Sequence, residues 1–210
     1  VTLPAATWRE RVEFERRLVH ASGTLYPVPY LLGWISWAET AALLVASVVV
    51  VAILEFLRIV VGLDHAVYRA LTREYETDAV AGYALYQVST AAVALVATTP
   101  VATPTLAVPT MWMLSVGDPI SGALGENGPR EAKRPLVWAV MFAVSLAVTL
   151  PFTVPAFGPT VGVAVAVAGA VPATIADGIP PIVYGVVLDD NLTIPPAALA
   201  GMAVAAAALA

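Results

Sequence analysis

Cysteine is absent from the 210 residues, which excludes disulfides, iron–sulfur clusters and thiolate zinc sites. Metal chemistry here must use oxygen ligands. Charge is scarce as well: 12% of the residues are charged and 60% are hydrophobic, against about 25% and about 45–50% in a soluble domain. The net charge of −5 comes with Ala and Val dominating the apolar positions and lysine used once, at Lys133, a balance that reads as salt-adapted. No segment reads G-x-x-x-x-G-K-[ST], so a P-loop nucleotide site is excluded. An apolar signal-peptide core is also missing near the start, where Trp8-Arg9-Glu10-Arg11 and Glu15-Arg16-Arg17 stand. Residues 1–17 are expected to form a charged cytoplasmic segment, and 18–210 a single membrane domain.

What is present is apolar sequence almost without interruption, with a mean hydropathy of +0.85. A helix needs about 20 such residues to cross a hydrocarbon core of about 30 Å. The expected fold is an all-α polytopic bundle of about seven transmembrane helices in the cell membrane. The spans expected are Leu18 to Trp37, with Pro27 and Pro29 as breaks, Ala41 to Val61, Ala79 to Thr98, and Val101 to Gly117 and Asp118. Three more follow: Pro135 to Val154, Thr160 to Val187 broken by Pro172, Asp177 and Pro180-Pro181, and Leu192 to Ala210. With the N-terminus inside, all ten Lys and Arg residues fall in the inside segments, while the outside turns carry only Glu39. That asymmetry follows the positive-inside rule.

Four groups of residues carry candidate chemistry, one of them within a predicted span. Ser115-Val116-Gly117-Asp118 through Gly125, followed by Arg130, Lys133 and Arg134, reads as a phosphate and Mg²⁺ site. Glycines admit phosphate oxygens to backbone N–H groups, and the cations supply countercharge. The same residues also fit a helix cap and a positive-inside loop. Asp189-Asp190-Asn191 precedes the last span and offers the carboxylates a hard cation favours, or simply a helix cap. Asp177 lies within a hydrophobic span, where a carboxylate marks a functional site by default and needs a partner, an Arg from the inside loops or a shared metal. His20, behind Arg16-Arg17, suits phosphate binding or proton transfer, or a structural role.

Four separated pieces resemble one family, the CTP-dependent lipid kinases: dolichol kinase, phytol kinase and the CTP-dependent diacylglycerol kinase. They are Arg16-Arg17-Leu18-Val19-His20-Ala21-Ser22-Gly23, Glu76 ahead of Gly82-Tyr83, Gly117-Asp118 through Gly125, and Asp190-Asn191-Leu192-Thr193-Ile194-Pro195. The last is the most specific. The chain resembles a divergent, archaeal-type member, and it departs from the family where Lys-Ser-x-Glu-Gly is here Lys133-Arg134-Pro135-Leu136-Val137.

The resemblance implies transfer of the γ-phosphoryl group of CTP or another nucleoside triphosphate to an isoprenoid or glycerolipid hydroxyl. It implies Mg²⁺ held by Asp118, Asp189 and Asp190, and phosphates bound by Arg130, Lys133 and Arg134 with Arg16 and His20. Glu76, Gly117 and Asn191 would bind substrate or nucleotide, and Asp177 would act as a base or a supporting carboxylate beside the catalytic Asp118 and Asp190. The partners expected are a lipid alcohol, a nucleoside triphosphate and membrane lipids, with no nucleic acid. The alternatives are a phosphatidate cytidylyltransferase-like enzyme making a CDP-lipid, and a non-catalytic relative or transporter.

Overall fold

A computed structural model of the chain describes residues 14–73, 76–124, 131–179, 181–184 and 186–209. These residues form helices α1 (Phe14–Ser22), α2 (Val28–Leu31), α3 (Trp37–Ile59), α4 (Ala66–Leu71), α5 (Gly82–Val96) and α6 (Pro104–Trp112). A π-helical turn, Met113–Gly117, joins α6 to α7 (Asp118–Leu124), and α8 (Pro135–Phe157), α9 (Pro159–Gly178) and α10 (Asp190–Leu209) follow. Two short antiparallel strands, β1 (Ile182–Val183) and β2 (Val186–Val187), lie between α9 and α10.

Among the described residues three stretches are long and apolar enough to cross a membrane: Trp37–Ile59, Pro135–Gly178 and Asp190–Leu209. The 44-residue middle stretch is a hairpin. Gly158, at φ +78°, turns α8 directly into α9, and Lys133 at the start of α8 donates its backbone N–H to Gly178 at the end of α9, 2.9 Å away.

Several expected spans therefore differ. Residues 18–37 are not one helix: Pro27, Pro29 and the left-handed Gly33 (φ +71°) divide them into α1, a 3-10 turn (Gly23–Leu25) and α2. The span expected over Ala79 to Thr98 is a 15-residue helix, about 22 Å long at 1.5 Å per residue. The one expected over Val101 to Asp118 changes pitch at Met113, and that expected to reach Val187 ends at Gly178.

Packing is built on small residues. Ala94, Ala107, Ala166, Ala170, Ala173 and Ala198 are fully buried, and the chain's four methionines, Met111, Met113, Met141 and Met202, fill the gaps between them. Helix α10 lies between α9 on one side and α5 and α6 on the other, and α3 packs outside α5. The outer face of α3 exposes Leu43, Val49, Val50, Ile53 and Phe56, an apolar surface suited to lipid.

Prolines inside the helices free carbonyls for use elsewhere. Pro172 has no N–H to give Ala168, and that carbonyl faces Gly201, where a Cβ would stand 2.0 Å from it. Gly201→Ala or Gly201→Val must push α9 and α10 apart. Gly201→Val is expected to cost about 1–3 kcal/mol in thermal unfolding of the detergent-solubilised protein. The exposed neighbour Ala200→Val should change it by no more than about 0.5 kcal/mol; equal effects would refute the close approach.

Candidate functional site

One end of the bundle collects the polar residues. The N-terminus of α10 and the C-terminus of α9 meet there, with the segment before α8 and the start of α7. One carboxylate oxygen from each of Asp118, Asp177 and Asp190 lies within 4.8 Å of the others. Lys133 is shared among them, its Nζ 2.7 Å from Asp177, 3.6 Å from Asp190 and 3.9 Å from Asp118. Burial by itself lowers the pKa of Lys133, but Asp118, Asp190 and Asp177 outweigh it and hold the ammonium above its ordinary value. Ser121 donates to the same Asp177 oxygen at 2.9 Å. The sequence expected an Arg or a metal as the partner of Asp177; the partners found are Lys133 and Ser121.

The first segment closes the site from the side. His20 Nδ1 lies 3.3 Å from Asp118 Oδ2. Burial, with the adjacent Arg16, pushes the histidine's pKa down to about 3, so its imidazole is neutral. Arg17 donates to the carbonyls of Pro119 and Gly122 at 3.1 and 3.0 Å. A Cβ on Gly122 would stand 2.2 Å from that guanidinium, which is the physical need for glycine at this place. The π-helical turn that aims Asp118 is held by the same segment: Trp112 donates to the Thr24 carbonyl at 3.0 Å, and Thr24 to Ser115 at 3.2 Å.

Asn191 is fixed by the proline four residues after it. Pro195 cannot donate to the Asn191 carbonyl, which instead accepts from Ser89 of α5 at 2.6 Å. Its side-chain amide donates to Asp189 at 2.5 Å, as does its backbone N–H at 2.9 Å. Asp189 is thereby a cap for Asn191, and the carboxylate that joins Asp118 and Asp190 is Asp177. Burial, then the charge of Asp190, raises the pKa of Asp189 to about 6.

Glu76 is buried and accepts from the backbone of Arg73 at 2.7 Å and Gly82 at 3.1 Å. Asn191, Arg16 and Glu76 converge on the place a Gly82 Cβ would occupy, at 2.9, 3.0 and 3.3 Å. Gly117 is buried against Met141. Arg134 caps the start of α8 and is exposed, apart from the cluster. Arg130 lies outside the described residues.

Glu55 and Arg58, which the sequence places only at an interface, are a strap on this region. Arg58 pairs with Glu55 through two contacts of 2.9 and 2.7 Å and donates to the carbonyls of Glu76, Thr77 and Ala79. Glu55 accepts from the Ala81 N–H at 2.9 Å and from the Tyr83 hydroxyl. Nothing in linear spacing foretells this, nor the roles of Arg17, Ser89 and Ser121. The one legible signal was Pro195, whose missing N–H obliges Asn191 to find another donor.

The donor set fits a hard divalent cation. With all three carboxylates ionised, the single ammonium leaves two negative charges, and Asp177 Oδ2 is buried without a hydrogen-bond partner. A scan against protein-family models, a search of curated proteins and a search of solved structures each find no match.

Two measurements follow. Lys133→Met removes the shared ammonium and is expected to cost about 3 kcal/mol in EDTA, recovered by millimolar Mg²⁺. The double variant Asp118→Asn, Asp190→Asn should show no Mg²⁺-dependent change in its unfolding midpoint. A Lys133→Met protein blind to Mg²⁺ would argue against the cation. Arg58→Met is expected to accelerate amide hydrogen exchange at Ala81 and Gly82 by about tenfold or more. Unchanged exchange there would rule out the strap.

Proposed function

We propose that the chain is a multi-pass membrane phosphotransferase that moves the γ-phosphoryl group of CTP or another nucleoside triphosphate to the hydroxyl of an isoprenoid or glycerolipid alcohol. Its N-terminus lies on the cytoplasmic side, and seven segments cross or enter the bilayer. The observation that carries this reading is the convergence of four separated pieces of sequence on one point. His20 and Arg17 reach the Asp118 segment, Lys133 joins Asp118, Asp177 and Asp190, and Asn191 meets Glu76 and Arg16 around Gly82.

In the reaction the acceptor oxygen attacks the γ-phosphorus while the bond to the β–γ bridging oxygen breaks. The nucleoside diphosphate leaves with that electron pair, and the hydroxyl proton passes to a base. Phosphoryl transfer asks mainly for positioning and charge neutralisation. A magnesium ion held by Asp118, Asp177 and Asp190 supplies neutralisation of the phosphates when bound. Lys133 supplies a point charge beside the transferred group, and Ser121 keeps Asp177 oriented toward it. Arg16 and Arg17 bring positive charge to the same end of the bundle.

The test is label transfer in membranes with γ-labelled CTP and ATP, Mg²⁺ and a panel of lipid alcohols. Label is expected in a lipid monophosphate, reduced about 100-fold or more in Asp118→Asn. Label reaching lipid only from α-labelled CTP, with release of pyrophosphate, would identify a cytidylyltransferase instead. Absence of transfer from either nucleotide by folded protein would overturn the proposal.

A further inference from the structure

A cavity of about 340 Å³ lies beside the carboxylate cluster, between α1, α3, α4 and α5. Its outer part is apolar, formed by Leu54, Leu63 and Val67, all three exposed on the outside of the bundle. Its inner end is polar and includes His20, Asn191, Arg16, Tyr86 and Gln87. Neither His20 nor Asn191 comes from the apolar helices that make the mouth, so the two ends have independent origins in the chain.

Three buried atoms on residues lining the cavity have no hydrogen-bond partner: His20 Nε2, Asn191 Oδ1 and the Tyr86 hydroxyl. The first two are acceptors. The Asp118 carboxylate 3.3 Å from His20 Nδ1 places the imidazole proton on Nδ1 and leaves Nε2 with a bare lone pair. The Asn191 amide nitrogen is committed to Asp189, which makes the unpartnered atom the carbonyl oxygen. Buried acceptors call for a donor. A carboxylate or phosphate head would bring more acceptors, and an ammonium head would lie against the Arg16 guanidinium. An uncharged hydroxyl donates to His20 Nε2 or Asn191 Oδ1 and can accept from the Tyr86 hydroxyl, without either conflict.

The mouth admits little. Tyr68 of α4 donates across it to the Leu54 carbonyl of α3 at 3.3 Å, tying the two helices together. The volume lies near the bottom of the range of about 300–1,000 Å³ found for small-molecule sites. It has room for a head group and the first part of one chain, and the exposed face of α3, with Val50 and Ile53, continues outward from it.

We infer that this cavity binds a single-chain lipid alcohol, its hydroxyl donated to His20 Nε2 or Asn191 Oδ1 and its chain leaving sideways between α3 and α4, in preference to a two-chain glycerolipid. The assignment of this hydroxyl as the phosphoryl acceptor rests on the phosphotransfer reading. The binding does not. His20 joins the two sites: one nitrogen faces Asp118 and the other faces the cavity, so a hydroxyl seated there lies within one imidazole ring of the carboxylate cluster.

The experiment uses the whole chain in phosphatidylcholine nanodiscs, without nucleotide, and a diazirine analogue of geranylgeraniol mapped by peptide mass spectrometry. Label is expected in the peptides carrying Leu54, Leu63 and Val67, and is displaced by geranylgeraniol. Geranylgeranoic acid and dioleoylglycerol should compete about tenfold less well or worse. Leu54→Trp should reduce labelling about tenfold, while Leu43→Trp, on the exposed far end of α3, should not change it. Labelling indifferent to Leu54→Trp, or dioleoylglycerol or the acid competing as well as the alcohol, would overturn the inference, as would no labelling of folded protein. Specific labelling without label transfer from nucleotide would sink the phosphotransfer reading alone. Transfer to an alcohol with unspecific labelling would sink the cavity alone.

Discussion

The arrangement of this end of the molecule depends on the ammonium of Lys133. Three carboxylates whose oxygens lie within 4.8 Å of one another, at the end of an apolar bundle, repel strongly and are poorly hydrated. A cation must stand among them or they must move apart or protonate. The chain provides one lysine in 210 residues and places it within 4 Å of all three. The backbone bond from Lys133 to Gly178 then ties the start of α8 to the end of α9, so the charge balance of the site and the closure of the hairpin are one interaction.

Proline and glycine do the complementary work. In a chain whose apolar positions are mostly Ala and Val, side-chain packing alone leaves many helix arrangements close in energy. Pro195 and Pro172 each free one carbonyl at a defined height, and those carbonyls face Ser89 and Gly201. Gly122 and Gly82 leave room for Arg17 and for the meeting of Asn191, Arg16 and Glu76. In a low-dielectric bundle such contacts are costly to leave unmade, which gives a small-residue fold its register.

The cavity and the cluster share His20, and they differ in polarity for a physical reason. The cluster is made from helix ends and loops, where backbone polar groups and charge collect. The cavity runs away from it along α3, whose middle must be apolar to sit in lipid. A neutral histidine at the border meets a carboxylate on one side and the cavity on the other, without burying an unpaired charge.

By itself the sequence determined composition-level facts: a helical chain apolar enough to enter a membrane, no thiol chemistry, and charge confined to a few segments; the seven spans it suggested are three long apolar stretches among the described residues. Those properties are sums over local residues and need no partner. It also determined most of the residues that meet, since Asp118, Asp177, Asp190, Lys133, His20, Glu76 and Asn191 stand out as polar groups beside apolar helices, where burial demands a reason. Tertiary structure decided the rest. Asp177 and not Asp189 joins the cluster, because the amide and backbone N–H of Asn191 claim Asp189. Residues 18–37 break into short helices, and Glu55 with Arg58 holds a loop some twenty residues away in sequence. Such outcomes turn on which of several available donors reaches an acceptor first in three dimensions, and that distance is not written in linear spacing.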